Sequence, residues 1–516
     1  MHLRGTAYRA TAVATLAALP LGLTTAARAE PRPDAFATSI PVAAVERHLE
    51  AFQEIADAHG GTRASGTPGY AASRDYVAGL LRKAGYDVSV QPFEFPFYRE
   101  NSTPTLERVS PKPKSYKPTL PDGSVVGDFA TMVSSRSGDV TATVQGVDLL
   151  LPPPAKPRST SGCEASDFSR FKPGNIALLQ RGTCDFKVKA VNAQAAGASA
   201  VIIFNEGQSG RTDTLLGRIT GADVTIPVVG ADFALGKDLA SPAGTVARIR
   251  TDTESEVRTT WNVLAESTAG DAGKVVMSGA HLDSVLAGPG INDNGSGSAA
   301  LLEVALRMGE SPVKNKTRFA WWGAEELGLL GSEHYVEALP RNERDRIRLY
   351  LNYDMAASPN HMLGIYDGDD SDKEGAPAGP PGSDAIEKTF ERYFDARRVP
   401  HTGTDFSGRS DYGPFIKVGI PAGGLFTGAE GLKTAEEAKK FGGTAKAAYD
   451  ACYHLACDTT ANISPKALLL NTGAIAHATI TYANATNLPG PQARSATRRI
   501  THKTVPPHPH DHHITH

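Results

Sequence analysis

The stretch from Gly279 to Glu326 constrains the fold of this chain more than any other feature. An apolar run at 274–279 precedes H-L-D-S, and a second run at 317–322 precedes G-A-E-E. Between them lie a glycine-rich loop, G-P-G-I-N-D-N-G-S-G-S, and an apolar segment with helical character. Continuous apolar runs are typical of strands that are buried on both faces of a parallel sheet. The stretch therefore predicts a βαβ unit within an α/β fold.

Four candidate ligand residues follow the two predicted strands. His281 ends the first strand, Asp293 lies in the glycine-rich loop, and Glu325 and Glu326 follow the second strand. Open α/β sheets bind their ligands at the carboxyl ends of the strands. Imidazole and carboxylate groups suit zinc, and one glutamate of an adjacent pair can bind metal while the other acts as a base.

Each of these residues also has a structural explanation of its own. A single histidine at a strand end is commonly structural, and a Glu-Glu pair is commonly the solvated start of a helix. The glycine-rich loop could cradle phosphate, but it lacks the G-K-[ST] ending that this mechanism requires. The sequence therefore favours a metal site over a phosphate site.

Five motifs carry this pattern, and the last two of them lie beyond the stretch itself. They are G-A-H-L-D-S, G-I-N-D-N-G-S-G, A-W-W-G-A-E-E-L-G-L-L-G-S, Y-D-M and C-Y-H-L-A-C-D. In this order and spacing they resemble the co-catalytic zinc aminopeptidases, the family that includes aminopeptidase Y. The resemblance implies a three-layer zinc-peptidase fold with a mixed, mostly parallel central sheet.

The resemblance also implies two zinc ions per chain and the residues that hold them. The implied metal ligands are His281, Asp293, Glu326, Asp354 and His454. Asp293 would bridge two ions that lie about 3.5–4 Å apart. Glu325 would be the general base that activates a bridging water, and Tyr453 would donate a hydrogen bond to the oxyanion. Asp283 would orient the imidazole of His281 from behind.

The activity implied is hydrolysis of the N-terminal peptide bond of peptides and proteins. In the family, the free amine contacts the base, an aspartate ligand and a backbone carbonyl, which correspond here to Glu325, Asp354 and Arg409. Phe426 would line a pocket for a large hydrophobic first residue.

Two other functions share parts of this pattern. Relatives with the same metal core and inserted module are carboxypeptidases, which use basic residues to hold a carboxylate. Binding proteins on an inactive peptidase scaffold are the second alternative. Such proteins lose metal ligands, whereas this chain keeps all five and the base.

A separate module interrupts the peptidase pattern. Residues 101–123 are rich in Pro, Ser, Thr and Lys, which predicts a linker or a crossing loop. The segments P-G-N-I-A-L-L-Q-R-G-T-C and A-G-A-S-A-V-I-I-F-N resemble a protease-associated domain. We therefore expect peptidase parts at 38–124 and 256–487 around an α+β, β-rich insertion at 125–255, which would act as a lid or spacer.

The start of the chain indicates export, and its end differs in composition from the rest. Residues 1–29 have the charged start, apolar core and small-residue cleavage site of a signal peptide, and 488–516 form a Pro/His-rich tail that we expect to be disordered. In an exported protein the cysteines predict two disulfides, Cys163–Cys184 and Cys452–Cys457, with cysteine-ligated metal as the alternative. A net charge of −3 gives no electrostatic argument for binding nucleic acid or anionic membranes. We expect a secreted monomer.

Overall fold

The computed structural model describes residues 32–121, 125–219, 223–309, 311–373 and 375–490. The predicted signal peptide and nearly all of the predicted tail lie outside these residues. Two eight-stranded sheets organise the described chain. Among the described residues, no helix combines the length and apolar character needed to cross a membrane.

The first sheet is mixed. Parallel pairing joins its four central strands, whereas both flanks contain antiparallel pairs. In order across the sheet, and numbered in chain order, its strands are β1 (Asp87–Glu100), β10 (Thr253–Glu266), β12 (Asn315–Trp322), β11 (Asp271–His281), β13 (Ile347–Tyr353), β16 (Ala422–Phe426), β14 (Gly364–Tyr366) and β15 (Thr402–Thr404).

Helices on both faces of this sheet make three layers. The helices of the chain are α1 (Pro33–Thr38), α2 (Val42–Ala58), α3 (Pro68–Lys83), α4 (Phe186–Ala195), α5 (Phe233–Leu239), α6 (Gly297–Met308), α7 (Leu330–Ala338), α8 (Arg341–Arg346), α9 (Ser383–Ala396), α10 (Gly413–Lys417), α11 (Ala435–Phe441) and α12 (Pro465–Asn484). The largest apolar core lies between the sheet and α2, α3, α6, α9 and α12. A second core, around Trp322 and Phe415, lies under α7 and α10 on the opposite face. The predicted α/β fold is therefore confirmed.

The predicted βαβ unit forms the centre of the sheet. β11 and β12 are parallel neighbours, and α6 connects them. β13 pairs in parallel with the other side of β11. Because these strands run in the same direction, the residues that follow His281, Trp322 and Tyr353 all emerge at one edge of the sheet.

The second sheet belongs to a separate unit, and the chain enters and leaves this unit through a long antiparallel pair of strands in the first sheet. β1 and β10 pair along their full lengths, so the chain leaves at Glu100 and returns at Thr253. In order across the second sheet, the strands are β3 (Lys114–Ser115), β2 (Thr105–Ser110), β9 (Val246–Thr251), β5 (Gly138–Gly146), β6 (Ile176–Gln180), β7 (Ala200–Phe204), β8 (Val228–Ala231) and β4 (Phe129–Thr131).

The linker predicted at 101–123 is wrong, because this segment supplies β2 and β3 to the second sheet. β2 pairs with β9 and buries Leu106, an isolated apolar residue that gave little periodic signal among polar neighbours. These strands favour a boundary of the inserted unit near residue 101, which we propose in place of residue 125.

Candidate active site

Three adjacent strands of the first sheet deliver acidic and imidazole side chains to one edge. His281 ends β11, Glu325 and Glu326 follow β12, and Asp354 follows β13. Asp293 lies in the turn that precedes α6. His454 comes from a distant loop between the two cysteines of the Cys452–Cys457 disulfide. The structure therefore brings together all five residues that the sequence predicted as ligands.

The five side chains form two groups that share Asp293. Asp293 Oδ1 lies 3.2 Å from His281 Nε2, which also lies 3.2 Å from Asp354 Oδ1. Asp293 Oδ2 lies 3.1 Å from His454 Nε2, which lies 3.0 Å from Glu326 Oε2. Two ligands of a tetrahedral zinc ion, each bound at 2.0–2.1 Å, are about 3.3 Å apart. Each group therefore has the spacing of a zinc ligand set.

Two buried atoms of the cluster lack hydrogen bonds of normal geometry. They are Glu326 Oε1 and His454 Nε2. A buried polar atom without a partner costs about 1–3 kcal/mol, so groups of this kind need an explanation. A cation between these side chains would satisfy both atoms, and the mixed imidazole and carboxylate donors suit zinc. The residues present therefore fit the metal that the sequence implied.

The pKa values of the two adjacent glutamates also favour a bound cation. Burial raises the pKa of Glu325 well above its usual range; His281 opposes this, and Asp354 adds to it. Burial likewise raises the pKa of Glu326 to about 7, against the opposing effect of His454. In the absence of cations these two glutamates thus tend to hold protons, which bound metal ions would displace. Asp293 behaves differently, because contacts with His281 and His454 outweigh the effect of burial and lower its pKa.

Glu325 stands beside the cluster. Its Oε2 lies 3.9 Å from His281 Nε2, and its side chain is 11% exposed on the wall of a cavity. It lies outside the two groups of close contacts. A carboxylate in this position, next to a ligand set and open to the cavity, can accept and return a proton.

Asp283 contacts His281, although its backbone carbonyl is nearer than its carboxylate. His281 Nδ1 lies 3.0 Å from the Asp283 carbonyl oxygen and 3.7 Å from Oδ1. The carboxylate Oδ1 accepts the backbone N–H of Glu325 at 3.2 Å. Asp283 thus connects the loop of His281 with the loop of Glu325.

Asp354 is held by a hydrogen-bonded pair of polar side chains. Ser410 Oγ donates to Asp354 Oδ2 at 2.6 Å, and Asn352 Nδ2 donates to Ser410 Oγ at 2.9 Å. This leaves Asp354 Oδ1 facing His281.

The loop that carries His454 is anchored at both ends. Cys452 and Cys457 are disulfide-bonded, and so are Cys163 and Cys184, which confirms both predicted pairs. Directly after this loop, the Asp458 carboxylate accepts the backbone N–H groups of Asn292 and Asp293 at 2.8 and 3.0 Å. The position of His454 is therefore linked to that of Asp293.

Tyr453 stacks on His454, with 3.8 Å between the ring centroids. Burial and the nearby carboxylates of Asp293 and Glu326 raise the pKa of its phenol well above the usual value. The phenol therefore stays protonated at neutral pH and can donate a hydrogen bond.

A cavity of about 160 Å³ opens onto the cluster. Tyr453, Arg409 and Phe426 line it, so the structure brings these predicted residues to the same site. Tyr366 also lines it, and its ring lies nearly parallel to that of Phe426 with 6.5 Å between centroids. Glu430, at 3.7 Å from the guanidinium of Arg409, lies on the same wall.

Arg63, which sequence reasoning missed, holds the loop between two of the candidate ligands. This fully buried guanidinium donates to the carbonyl oxygens of Leu282, Pro289 and Gly290 at 2.5–2.8 Å. Burial lowers the pKa of Arg63 to about 10, so it remains a cation at neutral pH. The hydrogen bonds from this one cation thus hold together the loop that runs from His281 to Asp293.

Replacing Arg63 by Met should destabilise the protein by about 3 kcal/mol or more, because three buried carbonyls lose their donor. The loop should also hold metal less firmly, so zinc should be lost to a chelator at a lower chelator concentration. Urea unfolding and chelator titration measure the two effects. Arg307→Met on α6, where the arginine is half-exposed and bonds Glu303, is the control and should cost less than about 1 kcal/mol. Equal losses in both variants would contradict this role of Arg63.

Some of the missed residues carried a signal in the sequence. Ser410 directly follows Arg409, and Asp458 ends the C-Y-H-L-A-C-D motif, but neither was predicted to act in the site. Arg63 carried none, because a single arginine near the start of the chain has no pattern that ties it to a loop 219 positions away.

The fold and this edge of the sheet define a class of protein, the α/β metal-dependent hydrolases. Residues 262–479 match the model of peptidase family M28, and residues 144–239 match that of the PA domain. An aminopeptidase of Pseudomonas aeruginosa is 49% identical over 84% of this chain and 80% of its own length. A probable leucine aminopeptidase 2 of Aspergillus fumigatus is 43% identical over 80% of this chain and 77% of its own. Among solved structures, a zinc aminopeptidase from Bacillus subtilis aligns with a TM-score of 0.55 and 25% identity, covering 88% of this chain and 95% of that one.

The chain belongs to peptidase family M28 and is an aminopeptidase with an inserted PA domain.

Proposed function

We propose that this enzyme removes large hydrophobic residues from the N-termini of exported or extracellular peptides and proteins, using two zinc ions per chain. The observation that carries the proposal is the sharing of Asp293. Its two carboxylate oxygens lie 3.2 and 3.1 Å from two different histidines, each of which also contacts a further carboxylate. A bridging carboxylate of this kind is typical of sites that hold two metal ions.

The two groups of side chains divide the ligands between the ions. His281 and Asp354 would hold one ion, His454 and Glu326 the other, and Asp293 both. When bound, zinc supplies a Lewis acid that polarises a carbonyl and lowers the pKa of water.

Glu325 would move the proton. It would accept a proton from the attacking water and deliver it to the amine that leaves, and its place beside His281 on the cavity wall supports both transfers. Tyr453 would donate a hydrogen bond to the carbonyl oxygen as negative charge develops there. Its protonated phenol and its place on the cavity wall support this role.

The cavity suggests how the first residue is recognised. Its free ammonium would lie between the carboxylates of Glu325 and Asp354 and the backbone carbonyl of Arg409. The side chain would lie against the aromatic wall of Tyr366 and Phe426, which favours large apolar groups. The similarity to a probable leucine aminopeptidase 2 supports this preference.

Export would follow from the signal-like start of the chain. The two disulfides support it, because disulfides persist in oxidising compartments. We further propose that the enzyme acts as a monomer and that the PA domain serves as a lid or spacer.

A panel of p-nitroanilides tests the proposed specificity. We expect Leu and Phe substrates to be cleaved with a kcat/KM about tenfold or more above that of Gly or Glu substrates, since apolar side chains fill the aromatic wall. N-acetyl-Leu p-nitroanilide should not be cleaved, because acetylation removes the ammonium. Equal rates for the free and acetylated forms would contradict exopeptidase recognition, and a preference for Glu would contradict the apolar pocket.

A further inference from the structure

A second cavity lies where α11 and α12 meet the chain that follows α9. Its volume is about 230 Å³, against about 160 Å³ for the active-site cavity, and the two have no lining residue in common. Its floor is apolar and includes Leu363, Val399 and Phe441. The cavity is thus a separate place on the molecule, large enough for a small ligand.

The rim of this cavity carries three positively charged side chains. Arg398, Lys440 and Lys466 line it, and the described lining residues include no aspartate or glutamate. The side chains of these three cations form no ion pair or hydrogen bond within the described chain; Lys440 lies 5.4 Å from the ring centroid of Phe441. By contrast, Lys388, on α9, contacts both Asp369 and Asp384. The rim therefore attracts anions.

The start of α12 adds to this attraction. This 20-residue helix begins at Pro465 and has no acidic residue in its first turn, where Lys466 lies instead. The N-terminus of a helix carries a partial positive charge, which acidic residues usually balance. Here a lysine and the helix end act in the same direction, so the electrostatic preference for an anion is reinforced.

A buried imidazole lies on the wall of the cavity. His361 is 9% exposed, and its ring faces the backbone of Ser358 and Pro359. Burial, together with the charges of Lys433 and Lys466, lowers the pKa of His361, so the ring is neutral at pH 7. The charge of the cavity therefore comes from its rim and not from this ring.

The apolar part of this cavity is also exposed to solvent at Leu469. The side chain of this residue, on α12, is 51% exposed and lines the cavity. Exposed apolar surface beside unpaired cations is complementary to a ligand that has both an apolar and an anionic part.

We infer that this cavity binds a small monocarboxylate with an apolar chain. The carboxylate lies among Arg398, Lys440 and Lys466 at the start of α12, and the chain lies against Phe441 and Leu469. An uncharged apolar molecule would leave the three cations without a partner. An inorganic anion would leave the apolar floor open to water. This site is independent of the peptidase function proposed above.

Octanoate is a suitable probe, titrated calorimetrically into the full-length, zinc-loaded enzyme. We expect one molecule to bind at this cavity, and Lys440→Glu to weaken it by roughly tenfold or more, because a charge-assisted contact becomes a repulsion. Lys439→Glu is the matched control: Lys439 is the preceding residue on α11, is also exposed, and does not line the cavity. It should change the affinity by less than about twofold.

Two further ligands and a kinetic assay complete the test. Acetate, which lacks the chain, and octylammonium, which reverses the charge, should not bind at this cavity. Because carboxylates also bind zinc, inhibition of peptide hydrolysis by octanoate is measured in parallel and should be the same in wild type and Lys440→Glu. Equal octanoate affinity in the two lysine variants overturns the proposal. So does octylammonium binding as tight as octanoate, or a loss of binding in Lys440→Glu that is matched by relief of inhibition.

Discussion

Replacing Glu325 by Gln should lower kcat by about a hundredfold to ten-thousandfold, which is the usual contribution of a positioned acid–base group. The amide keeps the size of the side chain but cannot accept the proton of the attacking water. Zinc content should stay near that of the wild type, because Glu326 rather than Glu325 contacts His454. KM should rise as well, since the same carboxylate would help to hold the substrate ammonium. Steady-state kinetics and metal analysis of one preparation measure both effects.

Glu326→Gln is the matched control for this prediction, because the two glutamates are adjacent in the chain. It removes a carboxylate from the group around His454, so we expect it to lose one zinc ion. If the roles were exchanged, zinc would be lost from Glu325→Gln and retained in Glu326→Gln. A zinc-replete Glu325→Gln enzyme with full activity would show that the proton moves by another route.

Replacing Asp293 by Ala should remove both zinc ions and abolish activity. Each of its carboxylate oxygens faces a different histidine, so each ion would lose one of its ligands at once. Loss of one ligand from such a site weakens metal binding by several kcal/mol, and the two losses here coincide. Metal analysis after gel filtration should give about two ions in the wild type and none in the variant.

Two further substitutions show whether the effect is specific to a bridge. Asp354→Ala and Glu326→Ala each remove a carboxylate from one group only, so each should retain one ion. Asp369→Ala, in an exposed acidic position away from this site, should retain both. A wild-type enzyme that is fully active with a single ion, or an Asp293→Ala variant that retains one, would be incompatible with a shared carboxylate.

The sequence by itself determined the central part of the fold. The apolar runs before His281 and Glu325 are continuous, and the segment between them is helical in its periodicity, so β11, α6 and β12 could be predicted in order. Four of the candidate residues, His281, Asp293, Glu325 and Glu326, followed from the same reasoning, because open α/β sheets bind ligands at the carboxyl ends of their strands. Asp354 and His454 were implied as ligands by the resemblance to the zinc aminopeptidases. The disulfide pairs could also be predicted, since the cysteines lie in two separate regions of the chain.

Only the tertiary structure decided how these residues face one another. The orientation of Asp293 between His281 and His454 depends on the turn before α6 and on Asp458, which arrives from far along the chain. The carbonyl contact of Asp283 and the closure of the loop around Arg63 depend on backbone positions, which side-chain identity does not report. β2 and the cavity at the start of α12 were missed for the same reason. Local patterns reveal which residues can be buried or charged, whereas the partner that each residue meets is set by long-range packing.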